Sequence, residues 1–274
     1  MGIRSQAEIE TVRIFSEEDY LEQVQPVQVG LSSILGTRKN QQDYIFGQFH
    51  EGNGIAVVCD GMGGLKGGEI ASRTAVEKLV TDYMNGQPIR NIPAFFEEEA
   101  YLVDEAVCGL RDHSGASMDA GTTLVSVIIE DGKLYWLSVG DSKLYIIRKQ
   151  EIVTVNRLHN YRMTMDQMLK EGTMTQEEYR ANGKRAEALI SYMGMGNVSL
   201  MDINREPFAL QEGDAVLLTS DGLYRSLTDS MIMQIIHSHP YQAQEAAECL
   251  TASAMQHAAG GQDNTSLILI YYKK

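Results

Sequence analysis

The chain has 274 residues, enough to bury a substantial core in one large domain or two small ones. Its 23 Lys and Arg residues against 37 Asp and Glu give a net charge of −14, so it should be repelled by phosphate backbones, and no nucleic-acid partner is expected. Three scattered cysteines and no apolar run of membrane-spanning length predict a soluble protein of the reducing cytoplasm, with no membrane partner.

The first part of the chain predicts an arm followed by two strands. Residues 1–25 are polar and acidic without a sustained period, which is typical of an N-terminal arm. Residues 27–35 have a strand pattern, and 54–59 form a compact apolar run that predicts a buried strand. Because a glycine cluster follows, we expect Asp60 at the tip of this strand.

Two helices are predicted next. Apolar residues recur at helical spacing between positions 71 and 83, which indicates an amphipathic helix after the Gly67-Gly68 pair. A second helix is predicted over 93–110, with Pro93 in its first turn, where a proline is tolerated.

The pattern then changes to that of an antiparallel sheet. Segments 122–129 and 133–139 are β-rich and flank Asp131-Gly132, a dipeptide suited to a type I′ hairpin turn. Segment 143–147 continues the series. Consecutive strands joined by such short turns pair antiparallel.

The last part of the chain contains an insertion and then further strands and helices. Residues 159–193 are polar and methionine-rich, and they predict two short helices around a turn, outside the sheet. The remaining predicted strands are 201–210, 215–219 and 265–272, and the remaining helices are 228–237 and 242–259. Strands and helices come in separate blocks, which favours an α+β layered fold.

Four aspartates share one context, a strand end or turn with glycine nearby: Asp60, Asp141, Asp221 and Asp263. One Asp-Gly is usually only a turn. Strand tips at one edge of a sheet converge, however, and converging carboxylates need cations to stay ionised. Oxygen ligands suit Mg²⁺ or Mn²⁺, whereas zinc would draw on histidine or cysteine. The glycines after Asp60 lack the spacing of a nucleotide-binding loop.

Motifs in a fixed order extend this pattern. They are positions 38–43 (RKNQQD), 60–64 (DGMGG), 121–123 (GTT), 139–142 (VGDS), 220–222 (SDG) and 263–264 (DN). In this order they resemble the metal-dependent protein serine/threonine phosphatases of the type 2C class, especially the compact bacterial members. The resemblance covers about residue 27 to the C-terminus.

The resemblance implies a single phosphatase domain over 1–274. Its fold would be a central antiparallel β-sandwich flanked by pairs of helices in four α-β-β-α layers, with 159–193 as a flap subdomain that influences substrate choice. The implied activity is hydrolysis of phosphoserine and phosphothreonine in proteins by a hydroxide bridging two divalent cations, Mn²⁺ or Mg²⁺, which reverses serine/threonine kinase signalling. Phosphorylated proteins and a cognate kinase are the implied partners, and a monomer is the default.

The resemblance also assigns roles to individual residues. Asp60 resembles the aspartate that bridges the two metals, Gly61 the ligand that uses its backbone carbonyl, and Asp221 and Asp263 further ligands of the first metal.

Three more residues take roles from the resemblance. Asp43 resembles the acidic residue that orients a metal-bound water. Asp141 matches the position that helps to hold a weaker third ion in the members that have one. Arg38 resembles the arginine that grips the substrate phosphate, a role that suits its planar and permanently charged group.

Three positions depart from the family pattern. Gln42 stands where the family often has glutamate, which removes a negative charge and predicts a lower affinity for the second metal. Met62 stands where some members have histidine as a proton donor, so protonation of the leaving group falls to a metal-bound water or stays unassigned. Lys143 replaces the usual arginine.

The sequence also bears on other functions and other sites. Gln42 keeps open a catalytically weak regulator or scaffold that binds phosphorylated partners, and a hydrolase of a small phosphorylated metabolite is a further alternative. A cysteine-based phosphatase is not expected, because Cys59 lies in a predicted buried strand without a phosphate-binding loop. We expect His237 and His239 to be exposed at a helix end, and His159 to be structural or to face solvent.

Overall fold

The structure is a computed structural model that describes residues 26–63 and 67–273. The predicted N-terminal arm and Gly64 lie outside these residues. The strands are β1 (Val27–Ile34), β2 (Asp43–His50), β3 (Asn53–Gly63), β4 (Ala120–Thr122), β5 (Leu124–Glu130), β6 (Lys133–Val139), β7 (Lys143–Arg148), β8 (Glu151–Thr154), β9 (Asp202–Ile203), β10 (Phe208–Ala209), β11 (Ala215–Thr219) and β12 (Thr265–Tyr272). The α-helices are α1 (Gly67–Asn85), α2 (Ile92–Cys108), α3 (Tyr161–Lys170), α4 (Gln176–Ala181), α5 (Asp221–Tyr224), α6 (Asp229–Ser238) and α7 (Ala243–His257), and Arg185–Glu187 form one 3₁₀ turn.

The strands of the described residues form two antiparallel sheets. One sheet has the order β1-β12-β11-β7-β8. The other has the order β10-β6-β5-β3-β2, with β4 beside β3 and β9 beside β6. The first sheet joins the earliest described strand to the last one, because Val27 pairs with Tyr272 and Ile34 with Thr265.

Three clusters of buried apolar residues lie between the successive layers of sheets and helices. Between the sheets, buried residues of both, such as Val127 and Ile268, belong to one apolar cluster. Helices α1 and α2 cover the outer face of the second sheet, with Phe96 fully buried. Helices α6 and α7 cover the first sheet, with Leu250 fully buried. The predicted four-layer α-β-β-α sandwich is therefore confirmed.

Several local predictions match the structure closely. Asp131 and Gly132 have φ values of 51° and 72°, as a type I′ turn requires, and they join β5 to β6. Strand β12 has the predicted bounds, and α1 begins at the predicted glycine pair. No helix in the described ranges combines the length and the apolar character that crossing a membrane requires.

Strand β3 differs from the prediction because it does not end at Asp60. It runs on to Gly63, since Gly61 and Gly63 pair with Thr122 and Ala120 of β4. Asp60 therefore lies where β3 changes its partner from β5 to β4. Strand β2 was not predicted, and most of its residues are only half-buried, without a clear alternation.

The strand predicted over 201–210 is also different. Only the pairs of residues in β9 and β10 are strand. Between them the Asn204 side chain accepts a hydrogen bond from the Trp136 amide at 2.6 Å and donates to the Leu134 carbonyl at 3.1 Å. Pro207 has no amide hydrogen to donate. A side chain thus replaces part of the backbone ladder.

Candidate metal centre

The site is at one end of the sandwich, and its first two carboxylates come from neighbouring strands. Asp43 begins β2 and is directly opposite Asp60 of β3. Residues directly opposite in an antiparallel pair point to the same face, so these two carboxylates are neighbours. Asp43 is only 5% exposed.

The other sheet contributes Asp221 and Asp263. Asp221 begins α5 just after β11, and Asp263 precedes β12. Asp60 and Asp221 are within hydrogen-bonding reach of each other when one is protonated. Between the sheets the Ser220 hydroxyl donates to Asp43 Oδ2 at 2.8 Å. Segments of both sheets therefore bring Asp43, Asp60 and Asp221 close to one another.

Asp141 follows β6 in a turn that His159 holds. Gly140 has a φ of 103°, and a Cβ there would lie 2.7 Å from the Thr123 side chain, so only glycine fits. The Gly140 amide donates to His159 Nδ1 at 3.2 Å, and the His159 amide donates to the Gly140 carbonyl at 2.8 Å. His159 is fully buried, and burial lowers its pKa to about 4, so the ring is neutral and structural.

Several carboxylates of this site, among them Asp43, Asp60 and Asp141, have raised pKa values. Burial is the main cause for Asp43, whose pKa rises to about 7, with further contributions from the charges of Asp221 and Asp263. Burial and the charges of four neighbouring aspartates raise the pKa of Asp60 well above its usual range. Burial, then Asp221, raises the pKa of Asp141 to about 6. These groups cannot all be ionised at neutral pH without positive charge nearby.

The oxygen atoms of these residues are of the chemical type that binds hard divalent cations, although their present arrangement does not form a complete metal site. Asp43 Oδ1 is buried and has no hydrogen-bond partner. The potential metal ligands of this site are carboxylate and carbonyl oxygens, which Mg²⁺ and Mn²⁺ prefer. In the described ranges, no three His, Cys, Asp or Glu side chains are arranged so that they could together hold one metal ion. The side chains of Asp221 and Asp263 instead bind arginines.

Two arginines form ion pairs with aspartates of the site. Arg38, with a 59% exposed side chain, is 2.6 Å from Asp263 through its Nη2 atom. Arg225, which the sequence analysis missed, places its Nη2 atom 2.9 Å from Asp221 Oδ2 and 3.9 Å from Asp141 Oδ2. Its position four residues after Asp221 at a helix start is the signal that could have revealed this pair.

Backbone packing explains the glycine after Asp60. A Cβ at Gly61 would lie 2.1 Å from the Gly68 carbonyl oxygen and 2.5 Å from that of Gln42, so only glycine fits. The Gln42 side-chain amide donates to the Gly63 carbonyl at 3.3 Å, and the Gln42 backbone amide donates to Asn264 Oδ1 at 2.9 Å. Gln42 thus braces the loop around the site.

The two helix-end histidines have other partners. His237 Nε2 is hydrogen-bonded to the Lys149 carbonyl at 2.7 Å, and His239 Nδ1 to the Ile235 carbonyl at 2.9 Å. Each ring therefore binds backbone, and neither joins a metal-binding group of the described residues.

Comparison with known proteins identifies the family. The family described as Protein phosphatase 2C matches residues 32–259. The chain belongs to the protein phosphatase 2C family. Protein phosphatase PhpP of Streptococcus pneumoniae is 28% identical over 244 residues, covering 88% of this chain and 95% of PhpP. The serine/threonine phosphatase stp of Listeria welshimeri is 26% identical over 219 residues, covering 79% of this chain and 83% of stp.

Solved structures show the same fold. The S. agalactiae serine/threonine phosphatase aligns with a TM-score of 0.74 at 24% identity, over 90% of this chain and 100% of that one. The catalytic domain of the serine/threonine phosphatase PstP, crystallised with two manganese ions, aligns with a TM-score of 0.72 at 20% identity, over 90% and 99%. This member of the protein phosphatase 2C family therefore has the family's sandwich fold.

Proposed function

We propose that this chain hydrolyses phosphoserine and phosphothreonine in proteins with a pair of Mn²⁺ or Mg²⁺ ions. The observation that carries the proposal is the meeting of Asp43, Asp60 and Asp221, from both sheets, in a member of the protein phosphatase 2C family. Their raised pKa values indicate a site that positive charge would stabilise. The two manganese ions of the PstP catalytic domain support this choice of metal.

The metal ligands we propose are Asp60, Gly61 through its carbonyl oxygen, Asp221 and Asp263. Bound divalent cations would supply Lewis acidity, which lowers the pKa of water and offsets the charge of a phosphate group. Asp141 would contribute negative charge at the edge of the site. Asp263 would exchange Arg38 for a cation, whereas Asp221 would bind a cation through Oδ1 and keep Arg225 at Oδ2.

Asp43 is suited to orient the attacking water. The Ser220 hydroxyl holds Asp43 Oδ2, whereas Oδ1 has no partner in the described residues. Oδ1 can therefore accept a proton or a hydrogen bond from a water aimed at phosphorus. A covalent phosphoenzyme is not part of this proposal, because Cys59 is fully buried in β3 and burial raises the pKa of its thiol.

Arg38 is suited to bind the substrate phosphate. Its exposed guanidinium is beside Asp263 at the edge of the site and can turn to a phosphate by moving only its side chain. A guanidinium binds two phosphate oxygens at once and stays charged. Arg38 would therefore position the substrate and stabilise the charge that develops during transfer.

The wider proposal concerns partners and the domain. Phosphorylated proteins are the substrates, a cognate serine/threonine kinase supplies them, and the chain acts as a monomeric single domain. We also propose that residues 159–193 form the flap. In chain order, its helices α3 and α4 follow the site residue Asp141 and precede β9. The segment would contact the substrate protein.

The experiment that tests this proposal measures phosphate release from a phosphothreonine peptide with Mn²⁺ and then with a chelator. We expect activity only with Mn²⁺, and a loss of at least about 100-fold in kcat for Asp60→Asn, which removes a charge from the centre. Arg38→Ala should mainly raise KM while Mn²⁺ binding persists.

The same assay separates the alternatives. Undiminished turnover in chelator would contradict the metal-dependent reaction. Saturable binding of the phosphopeptide without phosphate release would instead indicate a phosphatase-like regulator, an alternative that the phosphatases among the relatives do not favour. Faster turnover of sugar phosphates than of the peptide would indicate a metabolite hydrolase.

A further inference from the structure

Arg225 lies between two carboxylates that come from different parts of the chain. Its Nη2 atom is 2.9 Å from Asp221 Oδ2 and 3.9 Å from Asp141 Oδ2. Asp221 begins α5, whereas Asp141 follows β6. One guanidinium therefore faces both aspartates at the side of the site that is nearest the predicted flap.

The backbone around Arg225 holds it in this place. The Arg225 amide donates to the Asp221 carbonyl at 3.0 Å, which sets the two side chains one helical turn apart. The neighbouring Tyr224 hydroxyl donates to the Asp141 carbonyl at 3.0 Å. The same turn of chain thus contacts both aspartates, and the position of Arg225 follows from it.

Arg225 supplies the positive charge at these two carboxylates. Among the described residues, no other Lys, Arg or His comes within ion-pair distance of Asp141 or Asp221. The Asp141 side chain is only 6% exposed, so solvent screens its charge weakly, while the Arg225 side chain is 46% exposed. An arginine does not lose its proton in a protein, so this charge is permanent.

We propose that the Arg225 guanidinium is a built-in cation that keeps a further divalent ion from binding at Asp141, so that the chain holds two divalent cations and not three. This inference rests on the proposed two-metal function. A divalent ion bound to Asp141 would lie within a few ångströms of the guanidinium, where repulsion between like charges in a poorly solvated site is strong. The ion would also have to displace an existing partner of both carboxylates.

The test counts bound Mn²⁺ by isothermal titration calorimetry, with Mn²⁺ alone as the probe. We expect two ions for the wild type and three for Arg225→Gln, with the added site binding at least about tenfold tighter than any third ion in the wild type. Arg225→Lys keeps a positive charge and should bind two. The double variant Arg225→Gln with Asp141→Asn should also bind two, which locates the added ion at Asp141.

The control is Arg157→Gln, which removes an exposed arginine that pairs with Asp202 at 3.1 Å. It should bind as many ions as the wild type. Three ions in the wild type, or the same number in the wild type and Arg225→Gln, would overturn the inference. The proposed function is tested separately by the number of Mn²⁺ ions that the wild type binds. If the wild type binds none, the proposed function is contradicted, whatever the variants bind.

Discussion

At the scale of single residues, the two oxygens of the Asp43 carboxyl group differ in their hydrogen bonding. Oδ2 accepts the Ser220 hydroxyl at 2.8 Å, while Oδ1 is buried without a partner in the described residues. A buried oxygen without a hydrogen bond costs free energy, which protonation or a cation would relieve. Burial is the main reason why the pKa of Asp43 rises to about 7.

The raised pKa of Asp43 predicts a pH dependence of stability in the metal-free protein. The folded state keeps the Asp43 proton up to about pH 7, whereas the unfolded chain releases it near pH 4. The folded state then binds more protons in this window, so this contribution to the free energy of unfolding falls as pH rises from about 4 to about 7. Asp43→Asn should lose this decline.

The measurement is urea unfolding in chelator at about pH 5 and about pH 8. Because one pKa unit corresponds to about 1.4 kcal/mol, the wild type should lose a few kcal/mol more than Asp43→Asn between the two conditions. The Asp43 charge also raises the pKa of Asp60, so the difference between the two proteins reports the coupled titration of this pair. The same pH dependence in both proteins would contradict the prediction.

At the scale of elements, the segment 159–193 is attached at both ends beside the site. At its start His159 exchanges hydrogen bonds with Gly140, next to Asp141. At its end Met193 and Thr122 exchange backbone hydrogen bonds of 3.0 and 2.8 Å. The sequence indicated its two short helices but not these anchors, because both depend on contacts with β-strand ends far away in the chain.

Asp104 of α2 holds the loop that follows this segment. Its carboxylate accepts backbone hydrogen bonds from Gly194 at 2.7 Å, Gly196 at 3.3 Å and Val198 at 2.9 Å. Asp104→Ala leaves these amides without their partner and should lower the free energy of unfolding by about 3 kcal/mol or more. Asp104→Asn keeps an acceptor oxygen and should lose less. Urea unfolding measures both.

The matched control is Asp112, an exposed aspartate that also accepts loop amides, from Ser114 at 2.8 Å and Ala116 at 3.0 Å. Water can replace these partners, so Asp112→Ala should lower the free energy of unfolding much less than Asp104→Ala does. Hydrogen exchange should accelerate at residues 194–198 only in the Asp104 variants. If Asp104→Ala and Asp112→Ala lower the free energy of unfolding equally, the proposed role of burial at the Asp104 loop is contradicted.

At the scale of the whole molecule, the sandwich brings strand ends of both sheets to one place. Asp43 and Asp60 come from one sheet, and Asp221 and Asp263 flank strands of the other. The unfolded chain does not hold these groups together, so a cation that needs several of them binds only the folded state. Such binding adds to stability by mass action.

Added Mn²⁺ should therefore raise the melting temperature. At about 100 times the dissociation constant a single site contributes about 2.7 kcal/mol. For a chain of this length that corresponds to an increase of about 5 to 10 °C. Differential scanning fluorimetry measures it, and a chelator should reverse it. Asp60→Asn should lose most of the increase, and a wild-type melting temperature that does not respond to Mn²⁺ would contradict a metal centre.

The sequence by itself determined much of the fold through local patterns. Turn residues placed the hairpin at Asp131-Gly132, apolar runs placed β12 and the buried part of β3, and ordered motifs indicated the family. That Asp60 and Asp221 come close could be expected because the sequence pattern places each at a predicted strand end, although β3 continues to Gly63. Strand β2 could not be predicted, because its half-buried residues show no clear alternation. The interruption around Asn204 could not be predicted either, because local patterns do not show which side chain replaces a backbone partner.

Only the tertiary structure decided which other polar groups contact the site aspartates. Ser220 reaches Asp43 from 177 residues away, and Arg225 reaches Asp141 only because Tyr224 and β6 come together. The physical reason is that periodicity and turn chemistry act within a few residues, whereas such contacts depend on how two sheets are stacked and in which register their strands pair.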